Sequence, residues 1–139
     1  MKSSEIITPE GNIAQYTIDN NNELNLIFSH ANGFNGRVYN SLLHKISNNY
    51  SIHTYDMRGH GDTTLKANPN NLKSWYSFRD DLLSVIENFK TPVVLSGHSM
   101  GATASLLVAL HKPELVKKLI LIEPAVSYTH LTLPTTYSG

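Results

Sequence analysis

No cysteine occurs in the 139 residues, which excludes disulfides and thiolate metal sites. Net charge is missing as well: 11 Lys and Arg balance 11 Asp and Glu. No basic patch therefore directs the chain to nucleic acid or to an anionic membrane. No apolar run is long enough to span a bilayer, and Met1-Lys2-Ser3-Ser4-Glu5 lacks the apolar stretch of a signal peptide. Neither Gly-x-x-x-x-Gly-Lys-Ser/Thr nor Gly-x-Gly-x-x-Gly is present, which argues against a nucleotide-binding protein. These absences point to a cytoplasmic globular protein, with no metal, cofactor, nucleic-acid or membrane partner expected.

What is present centres on Val93-Val94-Leu95-Ser96-Gly97-His98-Ser99-Met100-Gly101. It reads as a buried strand, a sharp turn and the start of a helix. The turn has the form Gly-x-Ser-x-Gly, the nucleophile-elbow pattern. A serine hydroxyl is a poor nucleophile. It must sit where a base can reach it and where backbone N–H groups surround the reacting carbonyl. A strand-to-helix turn lifts Ser99 above the sheet and aims a helix N-terminus at developing negative charge. The backbones then come so close that side chains at Gly97 and Gly101 would clash. Three fixed positions recur by chance in roughly one chain in twenty of this length, so the pattern counts through its context. The preceding apolar run suits a parallel strand covered on both faces. The following Ala102-Thr103-Ala104-Ser105 suits a helix packed closely on a sheet, and Pro113 ends that helix.

Taken in order, residues 5–8 and 13–18 read as strands, separated by the turn Pro9-Glu10-Gly11-Asn12. Residues 24–28 are a third strand, followed by the Gly- and Asn-rich loop 29–36. A helix is expected over about 38–46, with Leu42, Leu43 and Ile46 on one face. Residues 50–55 are a fourth strand, closed by Asp56 and the turn Arg58-Gly59-His60-Gly61-Asp62. Residues 72–89 form an amphipathic helix with Asp80, Asp81 and Glu87 mostly outside. Residues 117–122 are a sixth strand, ending at Glu123-Pro124. Strands alternating with helices from residue 24 onward predict the α/β class, with a mainly parallel sheet and the two opening strands at one edge.

Three motifs follow three successive strands: His30-Ala31-Asn32-Gly33, then Asp56-x-Arg58-Gly59-His60-Gly61, then Gly97-x-Ser99-x-Gly101. In that order the chain resembles the α/β-hydrolase fold family, serine hydrolases of esterase and lipase type. The resemblance covers residues 5 to about 125. It implies that Ser99 is the nucleophile, that the Met100 N–H forms half of an oxyanion hole, and that Gly97 and Gly101 are elbow glycines. The other half belongs to the loop after His30. Its donor is Asn32, Gly33 or Phe34, because Ala31 replaces the glycine that relatives carry. His30, Asp56, Arg58 and His60 match positions that hold the loops. His30 precedes Ser99 in the chain, which suits loop packing better than a base. The third and fifth strands are neighbours in the family's order, so both loops open at the carboxyl ends of adjacent strands.

The implied activity is cleavage of a small-molecule carboxylic ester or related acyl bond. The alternative is an inactive or ligand-binding, receptor-like homologue, against which the retention of Ser99 between both glycines weighs. A triad also needs an acid and then a His after the nucleophile. His111 lies roughly 18 Å along the helix from Ser99, too far to take its proton. Glu123 is a second-choice acid. The remaining strands, the cap and the catalytic His are expected beyond this stretch. The chain thus reads as the N-terminal part of a hydrolase domain over 1–125, truncated after about the sixth strand and by itself inactive.

Residues 126–139 continue no pattern before them. Val126 to Thr135 matches, residue for residue, a translation of GTC TCT TAT ACA CAT CTG ACG CTG CCG ACG, which resembles a transposon adapter used in sequencing libraries. The segment is therefore read as a non-native tail. Resequencing the locus by a method without that adapter is expected to give a different sequence after Val126. Recovery of Ser-Tyr-Thr-His-Leu there overturns this reading.

Overall fold

The computed structural model describes residues 1–19, 21–67 and 75–125. The tail at 126–139, the start of the predicted 72–89 helix and Asn20 lie outside the described residues. The strands are β1 (Lys2–Thr8), β2 (Gly11–Ile18), β3 (Asn25–Ser29), β4 (Ser51–Tyr55), β5 (Val93–His98) and β6 (Val116–Ile122). The helices are α1 (Asn40–Lys45), α2 (Tyr76–Ile86) and α3 (Met100–His111), with a 3-10 turn at Pro113–Leu115. The strands make one sheet in the order β1-β2-β4-β3-β5-β6. β3 pairs in parallel with both β4 and β5, and β5 pairs in parallel with β6. β1 and β2 form an antiparallel hairpin at one edge, with β2 antiparallel to β4. This is the α/β architecture that the alternation of elements predicts.

The strand period of two explains the two cores. On β3, Leu26 and Phe28 point to one face and Ile27 to the other, and all three are buried. Ile27, Tyr55, Val93 and Leu95 pack under α2 and α3 through Leu82, Val85, Ile86, Ala104 and Val108. Leu26, Phe28, Ile52 and Val94 pack on the opposite face with Leu43 of α1. The small residues of α3 let it lie close: Ala102, Ala104 and Ser105 have no exposed surface. Among the described residues no helix is long and apolar enough to cross a membrane.

Two expectations are corrected. Leu42 does not share the inner face of α1 with Leu43: it is 51% exposed, against 1% for Leu43. The helix is only six residues long, less than two turns, and consecutive helical side chains point about 100° apart, so Leu42 turns out where Leu43 turns in. Asp81 is not outside but buried on α2, because Arg58 reaches it from the turn after β4. Helical spacing sorts residues by polarity and cannot register a charge that a distant partner neutralises.

Two buried histidines put a pH limit on this packing. The His53 Nδ1 lies 3.1 Å from the Thr17 hydroxyl and its Nε2 lies 2.9 Å from Asn25 Oδ1, with the ring against Phe89. Burial lowers His53 to about 4. His30 is lowered to about 4 by the same cause. Both values lie below the ordinary histidine value of about 6.5. The unfolded chain therefore binds protons that the folded chain refuses, and stability is lost as pH falls from about 6.5 towards 4. At about 1.4 kcal/mol per pKa unit, each group removes on the order of 3 kcal/mol, a large part of a domain's stability. The thermal midpoint, followed by circular dichroism, is expected to drop steadily through that window. The drop should be shallower in His53→Gln, which has no proton to gain; an equal slope in both proteins contradicts the assignment.

Candidate active site

β5 ends at His98, Ser99 takes φ 55° and ψ −114°, and α3 begins at Met100. A positive φ is disfavoured for a residue with a side chain and costs on the order of 1–3 kcal/mol. Hydrogen bonds on both sides of Ser99 hold it there. Its N–H donates to the Ile122 carbonyl at 2.9 Å, and its own carbonyl accepts from Thr103 N–H at 3.1 Å and Ala125 N–H at 3.2 Å. The Thr103 hydroxyl also donates to the Ala125 carbonyl. A Cβ at Gly97 would lie 2.5 Å from the Gly101 carbonyl, and one at Gly101 would overlap the Ser29 carbonyl. The turn closes only with glycine at both places.

Ser99 is half-buried, and its hydroxyl has no hydrogen-bond partner among the described residues. The Met100 N–H is the first of α3, so no carbonyl inside the helix can accept it. The helix dipole adds partial positive charge at the same end. The Ser99 hydroxyl and a helix N-terminus that favours negative charge are thus neighbours in one turn.

The loop after β3 lies against this elbow. His30 is completely buried. Its Nδ1 donates to the Ala31 carbonyl at 2.7 Å and its Nε2 accepts the Met57 N–H at 2.9 Å. Both ring nitrogens are engaged and burial keeps the ring neutral, so His30 locks the loop and has no free nitrogen to serve as a base. The three candidate donors of this loop now separate. The Gly33 N–H donates to His60 Nε2 at 3.0 Å, and the Phe34 N–H donates to the Ala31 carbonyl at 3.1 Å. Gly33 and Phe34 therefore have no N–H left for a ligand. The Asn32 N–H is without a partner among the described residues, and Asn32 is exposed.

The turn after β4 braces that loop. The Asp56 carboxylate is fully buried and accepts three hydrogen bonds: Tyr16 hydroxyl at 2.7 Å, Gly36 N–H at 2.8 Å and Asp62 N–H at 2.9 Å. Burial, and then the bond to Asp56, raise the Tyr16 hydroxyl well above the usual tyrosine range. Gly61, at φ 49°, packs directly on the same carboxylate, where any side chain would overlap it. Arg58 makes a two-pronged ion pair with Asp81, at 2.7 and 2.8 Å, which ties the turn to α2. Burial pushes Asp81 upward while the guanidinium opposes it, and Asp81 in turn keeps Arg58 charged. His60 Nδ1 donates to the Arg58 carbonyl at 3.0 Å, leaving Nε2 to accept from Gly33.

His98 turns away from Ser99: its Nδ1 lies 2.8 Å from the Tyr39 hydroxyl. His111 sits exposed at the far end of α3. Glu123 follows β6 directly, exposed, at φ 46°. No three His, Cys, Asp or Glu residues cluster as metal ligands among the described residues. Sequence reasoning passed over Tyr16, Tyr39 and Asp81. The signal for Tyr16 was available: a tyrosine in a strand with buried neighbours buries a hydroxyl that needs a partner.

A family model described as "Serine aminopeptidase, S33" matches residues 22–137. (E)-2-((N-methylformamido)methylene)succinate hydrolase of Acinetobacter baylyi is 27% identical over 105 residues, 76% of this chain and 39% of that protein. 2-(Acetamidomethylene)succinate hydrolase of Mesorhizobium japonicum is 28% identical over 99 residues, 70% of this chain and 34% of that protein. The chain thus spans less than half the length of these two curated relatives. The thioesterase domain from the curacin biosynthetic pathway superposes with a TM-score of 0.80 at 22% identity, over 92% of this chain and 49% of that one, a likeness of fold. With the family model matching most of its length and the elbow, loop and sheet order in place, the chain belongs to the α/β-hydrolase family, in the group described as S33 serine aminopeptidases.

Proposed function

We propose that this chain supplies the nucleophile and the oxyanion donors of a serine hydrolase that cleaves a carboxylic ester, or a related acyl bond, of a small molecule. The observation that carries this reading is Ser99 itself. Among the described residues its hydroxyl is unpaired, and it is half-exposed, on a backbone held at φ 55° against its own preference, beside a helix N–H that likewise has no partner there. In this reading Ser99 Oγ attacks the acyl carbon. The carbonyl oxygen becomes an oxyanion between the N–H groups of Met100 and Asn32, which are aimed before the charge develops. A base takes the hydroxyl proton and returns it to the leaving group, releasing the alcohol. Water then attacks the acyl-enzyme to free the acid and regenerate Ser99.

The base is a histidine later in the whole protein than the described residues. His30 and His60 use both ring nitrogens, His98 faces Tyr39, and His111 is a helix length away. Glu123 is the acid candidate within reach of the elbow, since the preceding Ile122 carbonyl accepts the Ser99 N–H. The two curated relatives are themselves hydrolases, which supports hydrolysis as the reaction class.

In the full-length protein, a fluorophosphonate probe is expected to add to Ser99, with mass spectrometry placing the adduct on the peptide containing Gly97 to Gly101. Ser99→Ala should lose the label and at least about 1,000-fold of the turnover of a p-nitrophenyl ester. Labelling at another serine, with Ser99→Ala still active, rules this reading out.

A further inference from the structure

The Asn32 N–H shares one rigid peptide plane with the Ala31 carbonyl. A trans peptide points the two in opposite directions, so whatever fixes the carbonyl also aims the N–H. The carbonyl is fixed twice, by His30 Nδ1–H at 2.7 Å and Phe34 N–H at 3.1 Å. The other face of Ala31, its N–H, donates to the Tyr39 hydroxyl at 3.2 Å. That same hydroxyl lies 2.8 Å from Nδ1 of His98, the residue directly before the nucleophile. The Tyr39 ring is wedged between Phe28 on β3, Phe34 on the loop and the His98 ring, with centroids 4.6, 5.9 and 5.9 Å away. Burial raises its hydroxyl, which stays protonated as a hydrogen-bonding group.

One oxygen atom thus links the residue before Asn32 to the residue before Ser99. Met100 belongs to the elbow and Asn32 to the loop, and their spacing must suit an oxyanion to within a few tenths of an ångström. Other ties between loop and elbow run through backbone packing at Gly101. We propose that Tyr39 is a positioning residue for catalysis, whose hydroxyl sets the distance between the Asn32 and Met100 N–H groups by bridging Ala31 N–H to His98. This rests on the reading of Ser99 as nucleophile. Among the described residues the Tyr39 hydroxyl bonds Ala31 and His98 and not Ser99. Its effect therefore belongs to the transition state, where the oxyanion is charged, and not to the ground-state complex.

The test uses the full-length protein, with wild type and Ser99→Ala as references. Fluorophosphonate labelling of Ser99 in wild type checks the underlying reading separately. Tyr39→Phe keeps the ring and removes only the bridging oxygen. It is expected to lower kcat on a p-nitrophenyl ester about tenfold, less than the loss of a whole donor, with KM within about twofold. A boronic acid, which forms a tetrahedral anionic adduct with the nucleophile, should lose affinity by the same factor. The thermal midpoint should stay close to wild type, since the ring packing is intact. His98→Ala should give a similar loss, and the double variant little more than either alone, because both remove one bridge. Unchanged kcat in Tyr39→Phe overturns the proposal. So does a loss of kcat with boronate affinity untouched, or full additivity with His98→Ala.

Discussion

Everything at this site depends on how closely two backbones can approach. Gly101, in the first turn of α3, sits on the Ser29 and His30 carbonyls at the end of β3. Parallel strands stand about 4.8 Å apart, and the loops leaving them ordinarily diverge. Here they are pressed together because the elbow carries no side chain at the contact. Without that contact, Ser99 and the Asn32 peptide would belong to separate loops. The parallel pairing of β3 with β5, register Ser29 to Gly97, places both at the same end of the sheet.

Around that contact the polar groups form a closed brace. Asp56 ties β2, the 31–36 loop and its own turn through one carboxylate, and His60 ties the turn back to Gly33. Arg58 and Asp81 extend the brace to α2. Each of these groups would be costly to bury alone. Together they satisfy one another and hold a loop that has no regular secondary structure of its own. Among the described residues this network leaves the Asn32 N–H without a partner.

The fold was legible in the sequence because it depends on patterns of one or two periods. The apolar run 93–95, the alternation of strands with helices and the glycine spacing of the elbow each reflect local geometry. The strand order followed from the family resemblance. What could not be read was pairing across distance. Asp81 looks like a surface charge on a helical wheel, and only Arg58, 23 residues earlier, buries it. Leu42 looks like a core residue until α1 proves to be less than two turns long. The choice among Asn32, Gly33 and Phe34 turns on which backbone N–H is left free. That is a property of the folded loop and of no single side chain. Tyr39 was invisible for the same reason: its hydroxyl acts through Ala31 and His98, far apart in the chain.

The strain at Ser99 has a further meaning. A glycine would take φ 55° with little penalty, so the fold by itself favours glycine at position 99. Mutational drift moves a chain towards what its backbone prefers whenever nothing else is asked of it. A lineage that had stopped using this hydroxyl would gain stability by discarding the side chain. Serine at a position where the backbone favours glycine is the mark that the proposed use of its hydroxyl would leave, recorded in the conformation of a single residue.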